Sequence, residues 1–284
     1  MTRLAYVNGR YLPHARAMVH VEDRGYQFAD GVYEVMPVQR GRLAEEGPHL
    51  DRLGYSLGEL RIAWPVARPV LALILRELVQ KNGVENGLVY LQVTRGVAPR
   101  DHRFPAAAES SLVITTKRLK PLSASLIADG VRVVTIPDIR WRRCDIKTVS
   151  LLPNVLGKQH AVEAGAYEAW QVDGEGMVTE GTSTNAWIVT ADGVLVTRPA
   201  SAAILNGVTR LALARLLAAD GIGWAERPFS VGEARAAREA FLTGTSAAVL
   251  PVTRIDGQRV GDGKPGPITR RLREHYLVAL GTDP

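Results

Sequence analysis

Cysteine is nearly absent: Cys144 is the only one in 284 residues. An internal disulfide is therefore excluded, and the chain suits a reducing compartment. No nucleophile motif surrounds Cys144, so a buried, inert thiol is expected. Long apolar runs are lacking as well; none approaches the roughly 18–20 residues of a membrane span. The opening Arg3-Leu4-Ala5-Tyr6 has no secretory apolar core. These absences point to a soluble, cytoplasmic protein with no membrane partner. The six histidines are scattered without a His-x-x-x-His pair, so no metal site is expected. Aromatic residues make up only 6%. The net charge is +6, yet its densest clusters, at 117–120, 140–143 and 270–273, are short and not interleaved with stacking rings. No nucleic-acid partner is expected, and a non-enzymatic anion or nucleic-acid binder is the remote alternative.

What is present is ordinary globular composition, 46% hydrophobic and 23% charged, enough for one large domain or two modest ones. Asn8-Gly9 between apolar residues marks a hairpin over 6–12. An extended run at 32–39 is followed by helical patterns at 49–62 and 67–80 and by strands at 87–94 and 112–116. The charged, proline-containing stretch at 117–122 reads as a boundary. It divides a smaller α+β domain (1–118), a linker (119–123) and a larger domain (124–284). In the latter, strands are expected at 131–136, 169–172, 186–189, 240–243 and 249–252, and helices at 153–164, 208–218 and 268–280. Helices and strands mix without strict βαβ alternation, so the fold class is α+β with two domains.

Five segments carry residues suited to chemistry. Lys147 is one of only six lysines and stands in a mixed apolar–polar stretch, Cys144-Asp145-Ile146-Lys147-Thr148. It is either a solvated loop lysine or an amine in a partly dry pocket that can form a Schiff base. Glu180 lies among Thr179, Gly181, Thr182, Ser183, Thr184 and Asn185. That segment is a polar turn leading into a strand, or a buried carboxylate facing the ring nitrogen of a polar cofactor. Leu205-Asn206-Gly207-Val208-Thr209-Arg210 opens a helix, which gives a plain cap or a phosphate seat of free N–H groups. Gly244-Thr245-Ser246 is a turn or a further source of phosphate donors. Arg100 and His102 alternate on a proline-rich loop and can face one side, where an arginine is the natural partner of a carboxylate; the alternative is a solvated basic loop.

These segments together resemble the fold-type IV pyridoxal-phosphate (PLP) enzymes, the class IV aminotransferases, and most closely the D-amino acid aminotransferases. The matching stretches run in family order: residues 24–35 from Arg24-Gly25-Tyr26-Gln27-Phe28 to Glu34-Val35, His49-Leu50-Asp51-Arg52-Leu53, Val93-Thr94-Arg95-Gly96, Arg100-x-His102, Arg143 to Lys147, Glu180-Gly181-x-Ser183-x-Asn185, Leu205-x-Gly207-Val208-Thr209-Arg210 and Gly244-Thr245-Ser246. The resemblance implies PLP as cofactor. It makes Lys147 the Schiff-base lysine and proton shuttle, and Glu180 the partner of the pyridine nitrogen. It places Arg52, Ser183, Leu205, Gly207, Val208, Thr209, Gly244 and Thr245 around the cofactor. Tyr33, Val35, Arg100, His102 and Ser246 fall on the substrate side, with Arg100 and His102 reaching in from the second subunit of a homodimer. The implied reaction is D-alanine plus 2-oxoglutarate giving pyruvate plus D-glutamate. Branched-chain L-amino acid aminotransferases, (R)-amine transaminases and aminodeoxychorismate lyases share the fold and remain the alternatives. Pro37 and Asn206 stand where the pattern often has other residues.

Overall fold

The computed structural model describes residues 3–219 and 222–281; the outermost ends of both expected domains lie outside these. The chain divides into two compact units. One runs from the N-terminus to Lys120 and takes in Ile146–Ser150; the other comprises Pro121–Asp145 and everything from Leu151 onward. The sequence reading put all of 124–284 into one domain. Ile146–Ser150 instead adds to the first unit, because its backbone pairs there: Tyr33 N–H donates to Lys147 O at 3.0 Å and Val149 N–H to Gly31 O at 3.1 Å. Such long-range pairing leaves no local mark in composition.

The first unit contains β1 (Leu4–Val7), β2 (Arg10–Pro13), α1 (Arg24–Phe28), β3 (Gly31–Gln39), β4 (Arg42–Leu43), α2 (Glu46–Glu59), α3 (Arg68–Lys81), β5 (Gly87–Thr94) and β6 (Ser111–Arg118). Its sheet is antiparallel throughout, in the order β2-β1-β6-β5-β3-β4. The β1–β2 hairpin turns at Asn8 and Gly9, with φ of 43° and 89°, as a type I′ turn requires. Strand β3 alternates. Val32, Glu34, Met36 and Val38 are buried on the face that joins Leu53 and Leu57 of α2 and Leu71, Leu75 and Leu78 of α3; Tyr33 and Val35 occupy the other face. Pro37 is tolerated because its carbonyl accepts from Ala44, so its nitrogen faces the short β4 edge, where pairing covers only Val38 and Gln39.

The second unit contains α4 (Ala124–Asp129), β7 (Val131–Pro137), α5 (Leu152–Glu163), β8 (Glu168–Val172), β9 (Val178–Gly181), β10 (Asn185–Val189), β11 (Leu195–Thr197), α6 (Val208–Ala219), β12 (Trp224–Glu226), α7 (Val231–Ala236), β13 (Glu239–Gly244), β14 (Ala248–Ile255), β15 (Gln258–Arg259) and α8 (Pro267–Ala279). The sheet order is β12-β11-β10-β13-β14-β7-β8-β9, with β15 on β14, and it mixes parallel and antiparallel pairs. One sheet face is filled by Trp170, Phe229, Leu242 and Leu250, the other by Trp187, Phe241, Leu213 and Leu272. Glu239 caps α8 from the sheet, accepting from the N–H groups of Ile268 and Thr269 and from the Thr269 hydroxyl. Among the described residues, no helix is long and apolar enough to cross a membrane.

Candidate active site

In the first unit, Lys147 is held by its backbone. Its N–H donates to Ser56 Oγ at 3.2 Å, its carbonyl accepts from Tyr33, and the next residue, Thr148, bridges Val32. Its ammonium nitrogen lies 4.2 Å from the centroid of the Tyr33 ring. Tyr33 stacks in turn on Tyr90, centroids 5.6 Å apart. Burial, with the neighbouring Tyr33 phenol, pushes the Tyr90 hydroxyl up to about 12.

On the opposite face of β3, Glu34 is wholly buried. Arg52 grips it with two bonds of 2.8 Å, and His49 Nδ1 lies 2.8 Å from its second oxygen. Burial alone would raise the Glu34 carboxyl. The charge and hydrogen bonds of Arg52, the bond from His49 and the charge of Lys147 outweigh it and bring it down to about 2. Burial lowers His49, against the pull of Glu34, and the charges of Arg52 and Lys147 add to the lowering. The family resemblance implies a phosphate beside Arg52; the structure adds a buried glutamate that orients it.

The pH consequence has a definite sign. Glu34 binds its proton less readily in the fold than at its ordinary 4.5, so its stabilisation is complete above 4.5 and is lost as pH falls from there toward about 2. His49 acts in the same direction, since below its ordinary 6.5 the unfolded chain takes up the proton first. Denaturant titrations between pH 7 and pH 3 are expected to show stability falling with acid, more steeply below about 4.5. Glu34→Gln is expected to flatten that lower limb. An unchanged slope in the variant would remove Glu34 as its source.

Arg100 and His102 lie exposed on the loop after β5. They gather on Phe28 of α1: the Arg100 guanidinium carbon is 4.5 Å from its ring centroid, and the His102 ring centroid 5.4 Å. This cluster shares no residue with the Lys147–Tyr33–Tyr90 cluster.

In the second unit, Glu180 is the penultimate residue of strand β9. Its carboxylate pairs with Arg140, accepts from Asn185 Nδ2 at 3.0 Å, and accepts the Leu205 N–H at 3.0 and 3.1 Å. Arg140 is itself held by Asp138 through bonds of 2.9 and 2.7 Å. Burial would lower the Arg140 guanidinium, but Asp138 and Glu180 raise it. Asn185, which opens β10, also donates to Leu205 O at 2.9 Å, which ties β10 to the approach to α6. Gly207 fits that approach only without a side chain, since a Cβ would stand 2.1 Å from Asn185 Oδ1. Asn206 accepts from Arg210 one helical turn on. Thr209 Oγ1 accepts from Tyr276 at 3.3 Å. Asn185 pairs in register with Thr243, so the turn at Gly244, Thr245 and Ser246 begins beside the same strand end. Ser183, expected near the cofactor, donates its hydroxyl to Glu168 at 3.0 Å. Thr182 and Thr184 do likewise, so a fully buried Glu168 holds the whole 182–184 turn.

Arg140, Asp138 and Glu168 carried no signal of this role in the sequence beyond Asp138 and Arg140 being two residues apart. Cys144 is half-buried; burial pushes its thiol up to about 11, so it is un-ionised near neutrality.

The class IV aminotransferase family model matches residues 31–255. The chain is 39% identical over 276 residues to the D-alanine aminotransferase of Staphylococcus haemolyticus, covering 97% of each, and 42% identical over 267 residues to that of Bacillus licheniformis, covering 94% of this chain and 93% of that one. Its fold matches a branched-chain amino acid aminotransferase from T.th. solved with pyridoxamine 5′-phosphate, with a TM-score of 0.91 and 26% identity, over 100% of this chain and 96% of that one. The chain belongs to the class IV aminotransferases. It is a PLP-dependent aminotransferase of the two-domain, fold-type IV α+β class.

The residues suit that cofactor, unit by unit. The first unit offers a primary amine resting on an aromatic ring. The second offers a buried carboxylate for a ring nitrogen. It also offers the first turn of α6, whose leading N–H groups have no partner within the helix. Gly207 there leaves no side chain over the approach. Relatives named for D-alanine and for branched-chain substrates share one fold, so the fold does not select the substrate.

Proposed function

We propose that the chain moves amino groups between D-amino acids, D-alanine and D-glutamate foremost, and the 2-oxo acids 2-oxoglutarate and pyruvate. The observation that carries this is Arg100. Among the described residues, Arg24, Arg95 and Arg103 of the same region are paired with aspartates, whereas Arg100 has no carboxylate partner and stands with His102 on an exposed loop. An unpaired guanidinium is the group that would take a substrate α-carboxylate in a bidentate grip. The relatives named for D-alanine point the same way.

When bound, PLP supplies an electrophilic carbon for the amino group and an electron sink for the Cα–H bond. The protein does the rest. Lys147 would hold the cofactor through its amine, and the same amine would serve as the base for the substrate Cα proton. Glu180 would hold the proton on the pyridine nitrogen. Arg52, the N–H groups of Val208 and Thr209, and Thr245 would receive the phosphate, Ser183, Gly207 and Gly244 would shape its surroundings, and Leu205 would supply the apolar contact to the ring. Tyr33, Val35 and Ser246 line the substrate side.

The working form is a homodimer in which Arg100 and His102 serve the partner's Lys147. Helix α5 supports a second chain: Leu152, Val155, Leu156 and Val162 form an exposed apolar row at helical spacing. A reducing cytoplasmic setting suits the lone thiol.

The test compares donors with 2-oxoglutarate, on protein first sized by sedimentation, where a species of twice the chain mass is expected. D-Alanine is expected to turn over well, L-leucine and (R)-1-phenylethylamine poorly. Arg100→Ala is expected to raise KM for D-alanine by roughly tenfold to a hundredfold, the loss of a charged hydrogen-bonded pair. Turnover confined to L-leucine would leave the family and cofactor intact and overturn the D-specific reading.

A further inference from the structure

Residues 24–28 form the short helix α1, Arg24-Gly25-Tyr26-Gln27-Phe28. Arg24 is buried at 3% exposure, an unusual place for a guanidinium. It is satisfied from two sides. Its Nε donates to Asp30 at 2.8 Å, and its Nη1 donates to the carbonyl of Asp101 at 2.6 Å, the residue between Arg100 and His102. Asp30 is anchored again by Arg95, through bonds of 2.7 and 2.9 Å. The Phe28 ring has the guanidinium carbons of Arg24 and Arg100 at 4.8 and 4.5 Å from its centroid, with His102 beside them. The helix is built to permit this. Asp23 caps Gly25, and Ala29 ends the helix in the left-handed region with φ 56°. A Cβ at Gly25 would stand 2.2 Å from Thr94 Cγ2.

We infer that Arg24 and Phe28 are positioning residues for the substrate-carboxylate site: Arg24 pins the loop backbone at Asp101, and the Phe28 ring face aims the side chains of Arg100 and His102. An exposed arginine otherwise samples many rotamers, and ordering it on binding would weaken its grip. A ring beneath it removes much of that loss beforehand. This inference rests on the reading that Arg100 takes the substrate carboxylate.

The test is steady-state kinetics of the PLP-loaded enzyme with D-alanine, on Phe28→Leu, Phe28→Tyr, Arg24→Lys, Arg100→Ala and the double variant Phe28→Leu/Arg100→Ala. Phe28→Leu is expected to raise KM by about tenfold with kcat within about twofold, while Phe28→Tyr, which keeps the ring face, restores KM. Arg24→Lys, which lacks the separate Nε and Nη1 donors that reach Asp30 and Asp101, is expected to raise KM similarly and serves if Phe28→Leu does not fold. Phe28→Leu is expected to add nothing in the Arg100→Ala background, because its effect runs through Arg100. Arg100→Ala raising KM while Phe28→Leu and Arg24→Lys do not would overturn the positioning role and leave the carboxylate reading standing. A full effect of Phe28→Leu in the Arg100→Ala background, or a fall in kcat that Phe28→Tyr shares, would also overturn it. An unchanged KM in Arg100→Ala would instead sink the carboxylate reading itself.

Discussion

Lys147→Ala is expected to lower turnover by roughly a thousandfold or more, the combined loss of a covalent anchor and of a proton-transferring base. It is also expected to leave the fold intact. The contacts that seat this residue belong to its backbone: the N–H to Ser56, the carbonyl to Tyr33, and the bridge one residue on at Thr148. Alanine keeps all three. The side chain contributes a cation–π contact with Tyr33, which at a half-exposed position is worth about 0.5–1 kcal/mol. Chemistry and stability should therefore separate. The purified variant is expected to lose its bound chromophore on dialysis while its thermal midpoint shifts by only a few degrees. Lys147→Arg should be equally inactive, since a guanidinium stays protonated and can neither anchor the cofactor nor accept a proton. Turnover near the wild-type value in either variant would end the assignment of Lys147.

Much of this arrangement was legible in the sequence, and the parts that were not share a cause. Strand β5 alternates over Gly87–Thr94 and helix α3 repeats its apolar face over three turns, so local periodicity reveals both. Strand β9 reads as a polar turn because Thr179 and Glu180 are polar. They are buried only because Arg140, Asp138 and Asn185 meet them from other segments. Glu34 presents the same difficulty. In the β3 alternation it sits on the apolar face between Val32 and Met36, a position where a lone carboxylate is costly to bury. It becomes tolerable once α2 delivers His49 and Arg52 to it. A charged residue in phase with a core stripe is a sign of a paired partner elsewhere, and that sign was available.

The placement of Lys147 was the least legible feature. Its neighbours in sequence belong to the second unit, yet its hydrogen bonds lie in the first. Only the pairing of this segment with Gly31, Tyr33 and Ser56 assigns it, and even Ser56 is 91 residues away in the chain. The Arg100–His102 loop was legible as a motif but not as a built device, because the groups that hold it, Arg24, Phe28 and Asp30, come from a five-residue helix and its exit, too short for periodicity to detect.

Glu180→Gln carries the second large expected effect, a fall in kcat of roughly a hundredfold or more with PLP still bound. The amide is nearly isosteric, and with its oxygen in the place of Oε2 it still accepts from Asn185 and from the Leu205 N–H, which leaves its NH2 toward Arg140. Arg140 loses a charged partner but retains its two bonds to Asp138, so the large penalty of an unpaired buried guanidinium is avoided. What disappears is the negative charge that the proposed role sets opposite the pyridine nitrogen. For scale, removing one preorganised hydrogen-bond donor from an oxyanion hole costs about 2.7–4 kcal/mol, and each ~1.36 kcal/mol is tenfold in rate. The measurement is kcat alongside PLP stoichiometry and the pH dependence of the bound chromophore. The neutral amide cannot hold the ring proton, so that chromophore is expected to titrate differently from wild type. A variant with full PLP, an unchanged chromophore titration and kcat within a few-fold would show that Glu180 serves to tie β9 to Leu205 and has no part in the chemistry. Glu180→Ala would be the poorer experiment, because it leaves Asn185 and the Leu205 N–H without their acceptor and mixes a structural loss into the rate.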